Sequence, residues 1–254
     1  MLTHYCLTLI PDRPCAPRPE WAYRLYAALL EQAPAEFGTR VHEIGISPIS
    51  QYLDCRGKHL DWHVTLLGET AETALGPRLE QAVPFCLTKD QVLLTPRQKR
   101  KTYISAPEEL FLRAAAGTGR HVLEFRTASA FKSRGKYQVL PTSRLILQNL
   151  IQKWNGSFPD CPIEDEDGQG MEAMADGLLC RRFQLHDRTY FLKGNAVPGF
   201  VGTVTLENRL SGFHRELADA LLTFAGYAGV GIKTSLGMGG VIHRTESSQK
   251  IPHG

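Results

Sequence analysis

Apolar and polar positions alternate between Leu2 and Ile10, which predicts a strand, and four prolines between Pro11 and Pro19 end it. Trp21, Leu25, Ala28 and Leu29 recur at helical spacing and predict a helix over 21–33, stopped by Pro34. A short helical segment over 35–43 follows. Strands are expected over 46–54 and 62–67, joined by the polar turn 55–61. A helix over 71–82 and extended chain over 85–94 and 101–105 complete this half.

The same order recurs further on. A strand is predicted over 122–127 and a helix over 141–154, with Pro141 at its start and Leu145, Leu147, Leu150 and Ile151 on its apolar side. Segments 178–185 and 190–193 suggest a hairpin, and 199–206 another strand. Phe213, Leu217, Ala220, Leu221 and Phe224 mark a helix over 213–224, and 239–243 closes the series. Strand, helix, strand, strand, helix, strand, given twice, predicts an α+β fold of tandem ferredoxin-like (RRM-like) βαββαβ domains, 1–118 and 119–254.

Composition fits that picture. Of 254 residues, 43% are hydrophobic and 22% charged, which excludes wholesale disorder. The uncharged stretch 220–232 is too short to span a membrane. The N-terminus reads as a first strand and not a secretory signal, so a cytoplasmic protein is expected. Six cysteines show no Cys-x-x-Cys and no zinc-finger spacing, so reduced thiols and no metal are expected.

Charge is uneven. Residues 97–136 carry ten basic side chains against three acids, whereas 160–176 carry seven acids and no Lys or Arg. A basic block can serve a polyanion through counterion release, or it can be a solvated face. The acidic block predicts an exposed loop or short helix on another face.

Six glycines fall within 226–241, too many for a helix or strand. Such a loop can offer successive N–H groups to phosphate, with Lys233, Thr234 and Ser235 adding a cation and two hydroxyls. A nucleotide-binding P-loop does not fit. Ile232 stands at its lysine position, and Leu236-Gly-Met-Gly-Gly cannot continue as a helix. A purely structural turn is the competing reading.

Gly229-Val-Gly-Ile-Lys-Thr-Ser-Leu-Gly-Met-Gly resembles the C-terminal glycine-rich loop of the CRISPR repeat-processing endoribonucleases of the RAMP superfamily. Leu123-Glu-Phe-Arg-Thr-Ala-Ser-Ala-Phe is similar to the segment opening that family's second domain, with Ala128 in place of a proline. Leu140-Pro-Thr-Ser-Arg-Leu, Lys153-Trp154-Asn155 and Gly199-Phe-Val-Gly-Thr-Val-Thr-Leu follow as in relatives. Val41-His42 and Ile46-Ser-Pro-Ile resemble the first-domain site.

The resemblance implies metal-independent, cofactor-free cleavage of CRISPR repeat RNA (pre-crRNA). A ribose 2′-OH would attack the adjacent phosphate, giving 5′-OH and 2′,3′-cyclic phosphate ends. It also implies retention of the crRNA, a CRISPR interference complex as a further partner, and a monomer or homodimer. His42 matches the family's catalytic histidine and Tyr26 its first-helix tyrosine. His59 and His63 flank the next strand and offer a second imidazole. The lysine expected after His42 is missing, which leaves Arg40, Lys58 or Lys233 as the phosphate-stabilising cation. The expected RNA-binding set is Gly229, Gly231, Lys233, Thr234, Ser235, Gly237 and Gly239 of the loop, with Arg126, Lys132, Arg134, Lys136, Lys99 and Arg100 of the basic block. A catalytically inactive RNA-binding subunit of an effector complex shares every feature except a working His42. A small-molecule enzyme on a ferredoxin-like scaffold is the third reading.

Overall fold

Strand β1 (Leu2–Pro11) turns Tyr5, Leu7 and Leu9 inward and leaves His4, Cys6 and Thr8 on its other face. In this computed structural model the described residues are 1–43, 45–55 and 60–246; the side chains of Arg40, His42 and Glu43 also lie outside the description. Helix α1 (Trp21–Leu30) packs Trp21, Ala22, Leu25, Tyr26, Ala28 and Leu29 onto the sheet. It ends three residues short of the expected point. Gln32 and Ala33 N–H donate to the carbonyls of Leu29 and Leu30, the tightened turn of a helix approaching Pro34. Next come α2 (Ala35–Glu43), β2 (Ile49–Asp54), β3 (Leu60–Leu67) and α3 (Glu69–Glu80).

β4 (Phe85–Leu87) is short and β5 (Val92–Ile104) runs unbroken through the basic run, where sequence predicted a gap. β5 pairs along all of β1, so ladder hydrogen bonds hold its charged residues extended. Helix α4 (Pro107–Ala115) was not expected. Pro107 opens it, and Leu110 and Ala114, four apart, are its buried side chains.

The second unit comprises β6 (Arg120–Ser129), a hairpin of β7 (Phe131–Ser133) and β8 (Lys136–Gln138), α5 (Ser143–Ser157), α6 (Gln169–Gly177) and β9 (Leu178–Asp187). A second hairpin of β10 (Tyr190–Leu192) and β11 (Asn195–Val197) precedes β12 (Phe200–Asn208), α7 (Gly212–Ala228), a 3-10 turn (Thr234–Leu236) and β13 (Val241–Thr245). Pro141 precedes α5 instead of opening it, because the Thr142 hydroxyl caps the helix by accepting from Leu145 N–H. The expected pairing of 178–185 with 190–193 is incorrect. β9 pairs with β12, and β10 with β11.

The sheets run β2-β3-β1-β5-β4 and β13-β6-β12-β9, antiparallel throughout. Taking β5 as the fourth strand of the first unit, both follow the 4-1-3-2 order of a βαββαβ unit, giving the expected tandem ferredoxin-like fold. One apolar core lies between the first sheet and α1–α3, and another under α5 and α7. A third, smaller cluster joins Ala128 of β6, Ala130 just beyond it, Tyr190, Leu192 and Val197 of the second hairpin, and Met238. Tyr23 of α1 packs on it, together with Ile232 and Leu236. No described helix is long and apolar enough to cross a membrane.

Candidate active site and nucleic-acid interface

The glycine-rich loop lies in the seam between the two sheets, and most of its amides are engaged there. Gly229 N–H donates to Ala225 O, Val230 to Gly239 O, Ile232 to Ala130 O and Gly239 to Ala128 O. Gly231 N–H donates to Asn149 Oδ1 and Gly240 N–H to Thr127 Oγ1. The expectation of a run of free amides at Gly229, Gly231 and Gly239 is therefore corrected: these groups bond to α7, α5 and β6 in turn. Glycine is needed for fit. Gly237 has φ +99°, and a Cβ there would lie 2.6 Å from Ala22 Cβ. Ser235 O and Ala22 O both accept from Gln51 Nε2, at 2.9 and 3.1 Å, which ties the 3-10 turn to β2 and α1.

Beneath the loop lies Lys153, which is buried. Its Nζ donates to Ala228 O (3.0 Å), Gly229 O (2.9 Å) and Thr234 Oγ1 (3.2 Å). Burial pulls this ammonium down to about 7. Lys233, next to Thr234, adopts a left-handed conformation at φ 55° and forms no ion pair among the described residues.

Ala22 sits one turn before Tyr26 on α1. Tyr26 is 6% exposed, and burial raises the phenol's pKa against a smaller opposing effect of the Ser47 side chain. α2 ends at Glu43, so His42 is at most about 18 Å along the chain from Ser47. The His42 side chain, Arg40's, and all of Lys58 and His59 lie outside the described residues.

His63 does not supply a second solvent-facing imidazole. It stacks on Tyr52 at 4.5 Å, and its Nδ1 lies 3.3 Å from His4 Nε2 in the seam. Burial lowers it to about 4, and His4 to about 3 with help from His63 and Arg100. A second pair, buried His121 and half-buried His243, meets at 2.9 Å, and Asp219 Oδ1 lies 2.8 Å from the far nitrogen of His121. No described group of three or more His, Cys, Asp or Glu side chains is arranged to hold a metal ion.

The basic block divides. Arg126 bridges the units, its guanidinium on Asp54 Oδ2 (2.5 Å from Nη2, 2.7 Å from Nε) and on Glu124, so it does not join an open cationic stripe. Lys99 is held by Glu80, and Lys101 by Glu72 and Glu80 on α3. Arg100, on the opposite face of β5, donates to Cys6 Sγ at 3.3 Å. Lys132, Arg134 and Lys136 stay exposed on the β7–β8 hairpin, with no ion pair among the described residues. Arg134 and Gly135 both have positive φ, the signature of a tight I′ turn. The β10–β11 hairpin repeats this with Lys193 and Gly194, and Lys193 Nζ lies 5.3 Å above the Tyr23 ring.

A family model described as CRISPR-associated endoribonuclease Cas6 matches residues 123–241. A CRISPR-associated endoribonuclease Cas6 of Mycobacterium tuberculosis is 30% identical over 226 residues, 85% of this chain and 69% of that protein. The chain belongs to the Cas6 family. A Streptococcus thermophilus Cas6 is 26% identical over 89% of this chain and 92% of its own. A Cas6 (TTHA0078) product complex superposes with a TM-score of 0.78 at 25% identity, covering 97% and 99% of the two chains. This Cas6 chain is accordingly an endoribonuclease.

The third apolar cluster holds none of the expected site residues itself but adjoins several of them in sequence. Tyr23, one turn from Tyr26, packs on it beside Leu236 of the turn that Lys233 opens, and β7 starts at Phe131, directly after Ala130. Arg126 and Lys99 are held elsewhere. Sequence reasoning missed Lys193, Gln51 and the burial of Lys153. For Lys153 a signal existed: it falls at helical spacing with Ile146, Leu150 and Ser157 on the buried side of α5.

Proposed function

We propose that this Cas6 endoribonuclease cleaves CRISPR repeat RNA (pre-crRNA) without a metal and retains the crRNA product. The 2′-oxygen attacks the adjacent phosphorus while its proton passes to the His42 imidazole, whose ordinary pKa of about 6.5 suits both directions of transfer. The P–O5′ bond then breaks and His42 returns the proton to the leaving oxygen. The products carry a 2′,3′-cyclic phosphate and a 5′-OH. Burial disfavours a Tyr26 phenolate, so Tyr26 acts as a hydrogen-bond donor that orients the phosphate. Lys233 replaces the missing lysine as the cation facing the phosphorane. Lys132, Arg134, Lys136 and Lys193 hold the RNA backbone, which an A-form stem presents with its 2′-hydroxyls.

The observation that carries this reading is the packing of Tyr23 of α1, Leu236 of the Lys233 turn and the β10–β11 hairpin into one small apolar cluster, whose Ala130 leads directly into the β7–β8 hairpin. The test is cleavage, in EDTA, of repeat RNA from the host's own CRISPR array by wild type, His42→Ala, Tyr26→Phe and Lys233→Ala. A 2′-deoxy sugar upstream of the cut runs alongside. Cutting that survives EDTA, stops with the deoxy sugar and falls at least ~100-fold in His42→Ala is expected. Cleavage of the deoxy substrate would overturn the mechanism, and an unimpaired His42→Ala would overturn the assignment. Tight binding without cleavage would favour the inactive-subunit reading.

A further inference from the structure

On the helical side of the second unit, α4, α5, α6 and α7 leave open a groove of about 550 Å³. Phe111, Trp154, Met171, Met174 and Leu217 line it, and Phe213, 66% exposed, stands at its edge. A large aromatic ring left in water beside an apolar trough is what an unfilled contact looks like. The two methionines give the wall an adaptable, polarizable surface.

Electrostatics select the occupant. Glu164 and Asp165 line the same groove, within the 160–176 segment whose seven acids include no compensating Lys or Arg. The segment is fixed in place. Asp165 accepts from Gly170 N–H at 3.0 Å and Met171 N–H at 2.8 Å, capping α6, and Asn155 holds Ile163 through N–H and O at 2.8 and 3.0 Å. Among the described residues the block's ion pair is Glu172 with Arg144, both partly exposed. Phosphate is repelled here, so this face is not an extension of the RNA surface.

We infer that this groove docks a basic amphipathic helix of a partner protein, its apolar stripe against Phe213, Met171 and Met174 and its Lys/Arg face against the acidic block. A trough of this volume accepts about three apolar side chains, matching i, i+3/i+4 and i+7 anchors of one helix. The inference is independent of the catalytic proposal, because no residue in it belongs to that site.

The probe is a synthetic 18-residue peptide with Leu along one helical face and Lys on the rest. A scrambled peptide of identical composition is the control, and binding is read by fluorescence anisotropy at 50 and 200 mM NaCl. The amphipathic peptide should bind at least ~10-fold more tightly than the scrambled one, and Phe213→Ser should lower its affinity at least ~10-fold. The Glu164→Gln, Glu166→Gln, Asp167→Asn triple variant should lose affinity chiefly at 50 mM NaCl. Thermal melts establish that each variant is folded. Equal binding of both peptides, or binding indifferent to Phe213→Ser in a folded variant, overturns the inference. Wild-type self-association abolished by Phe213→Ser would assign the groove to a second copy and overturn it too.

Discussion

Lys153 offers a direct quantitative test of how the glycine-rich loop is held. In Lys153→Met the chain keeps its apolar stem but loses three hydrogen bonds, to Ala228 O, Gly229 O and Thr234 Oγ1. At pH 6, below the folded value, the group is an ammonium, and hydrogen bonds from a charged donor contribute about 1.5–3 kcal/mol each, offset by the several kcal/mol that desolvating the charge costs. The expected net loss is therefore about 2–4 kcal/mol. For a chain of this size that lowers Tm by roughly 5–15 °C. The pH dependence gives a second check. Unfolded, the lysine titrates near its ordinary 10.5; folded, burial pulls it to about 7. Between those values the unfolded state holds the extra proton, so Lys153 makes wild-type stability rise with pH, by up to about 1.4 kcal/mol per unit. Methionine cannot titrate, so the penalty of Lys153→Met should grow from pH 7 to pH 9.5. Thermal melts of both proteins at pH 6, 8 and 9.5 provide the comparison. A variant as stable as wild type, or a penalty that shrinks as pH rises, would refute the reasoning.

Removing the free hairpin cations together, as Lys132→Ala, Arg134→Ala and Lys136→Ala, should reduce the salt slope of repeat-RNA binding by about three units without lowering Tm. Lys99→Ala should leave the slope unchanged because Glu80 already neutralises that charge; filter binding from 50 to 300 mM salt distinguishes the two. His4, His63 and His243 are half-buried, and desolvation favours the neutral ring in each, with folded values of about 3, 4 and 3. The unfolded state therefore binds between two and three more protons from pH 5 to pH 4, and stability should fall with acid across that interval. Urea unfolding at half-unit steps should show His243→Gln losing about one proton's worth of that slope, and an unchanged slope would contradict its burial as a neutral ring.

Much of the fold was legible because its helices carry unmixed stripes: Trp21, Leu25 and Leu29 on α1, and Leu217, Leu221 and Phe224 on α7. What failed locally depended on partners distant in sequence. β9 pairs with β12, which starts thirteen residues beyond its end, while the intervening 190–193 stretch looks like the nearer partner. β5 seemed to break because its polar run shows no apolar alternation, although β1 holds it from the other side. The candidate site behaves likewise. Counting charge along 97–136 overstated its cationic surface, since Asp54 lies 72 residues from Arg126 and Glu80 lies 19 from Lys99. The first-domain residues around His42 could be approached only through resemblance, since no local pattern distinguishes that histidine from the other eight.

The positions of strain tell more about the loop than its glycine count does. Glycine-rich backbone at 229–240 first suggested a phosphate cradle, yet its glycines permit close passage through the seam and most of its amides are bonded within the fold. Among the described residues, four other than glycine have positive φ: Gln91, Arg134, Lys193 and Lys233. A left-handed conformation costs an ordinary side chain about 1–2 kcal/mol, and Asn or Gly would fill such turns with less strain. Three of the four carry a positive charge, at the tips of the two hairpins and at the opening of the 3-10 turn, and all three of these segments adjoin one apolar cluster. Backbone need alone would not select Lys or Arg there. A polyanion approaching the cluster would meet all three, so the strain is intelligible as the cost of displaying charge on rigid turns beside α1. The glycines keep those turns fixed, and the proposed RNA contact falls to the cations on them.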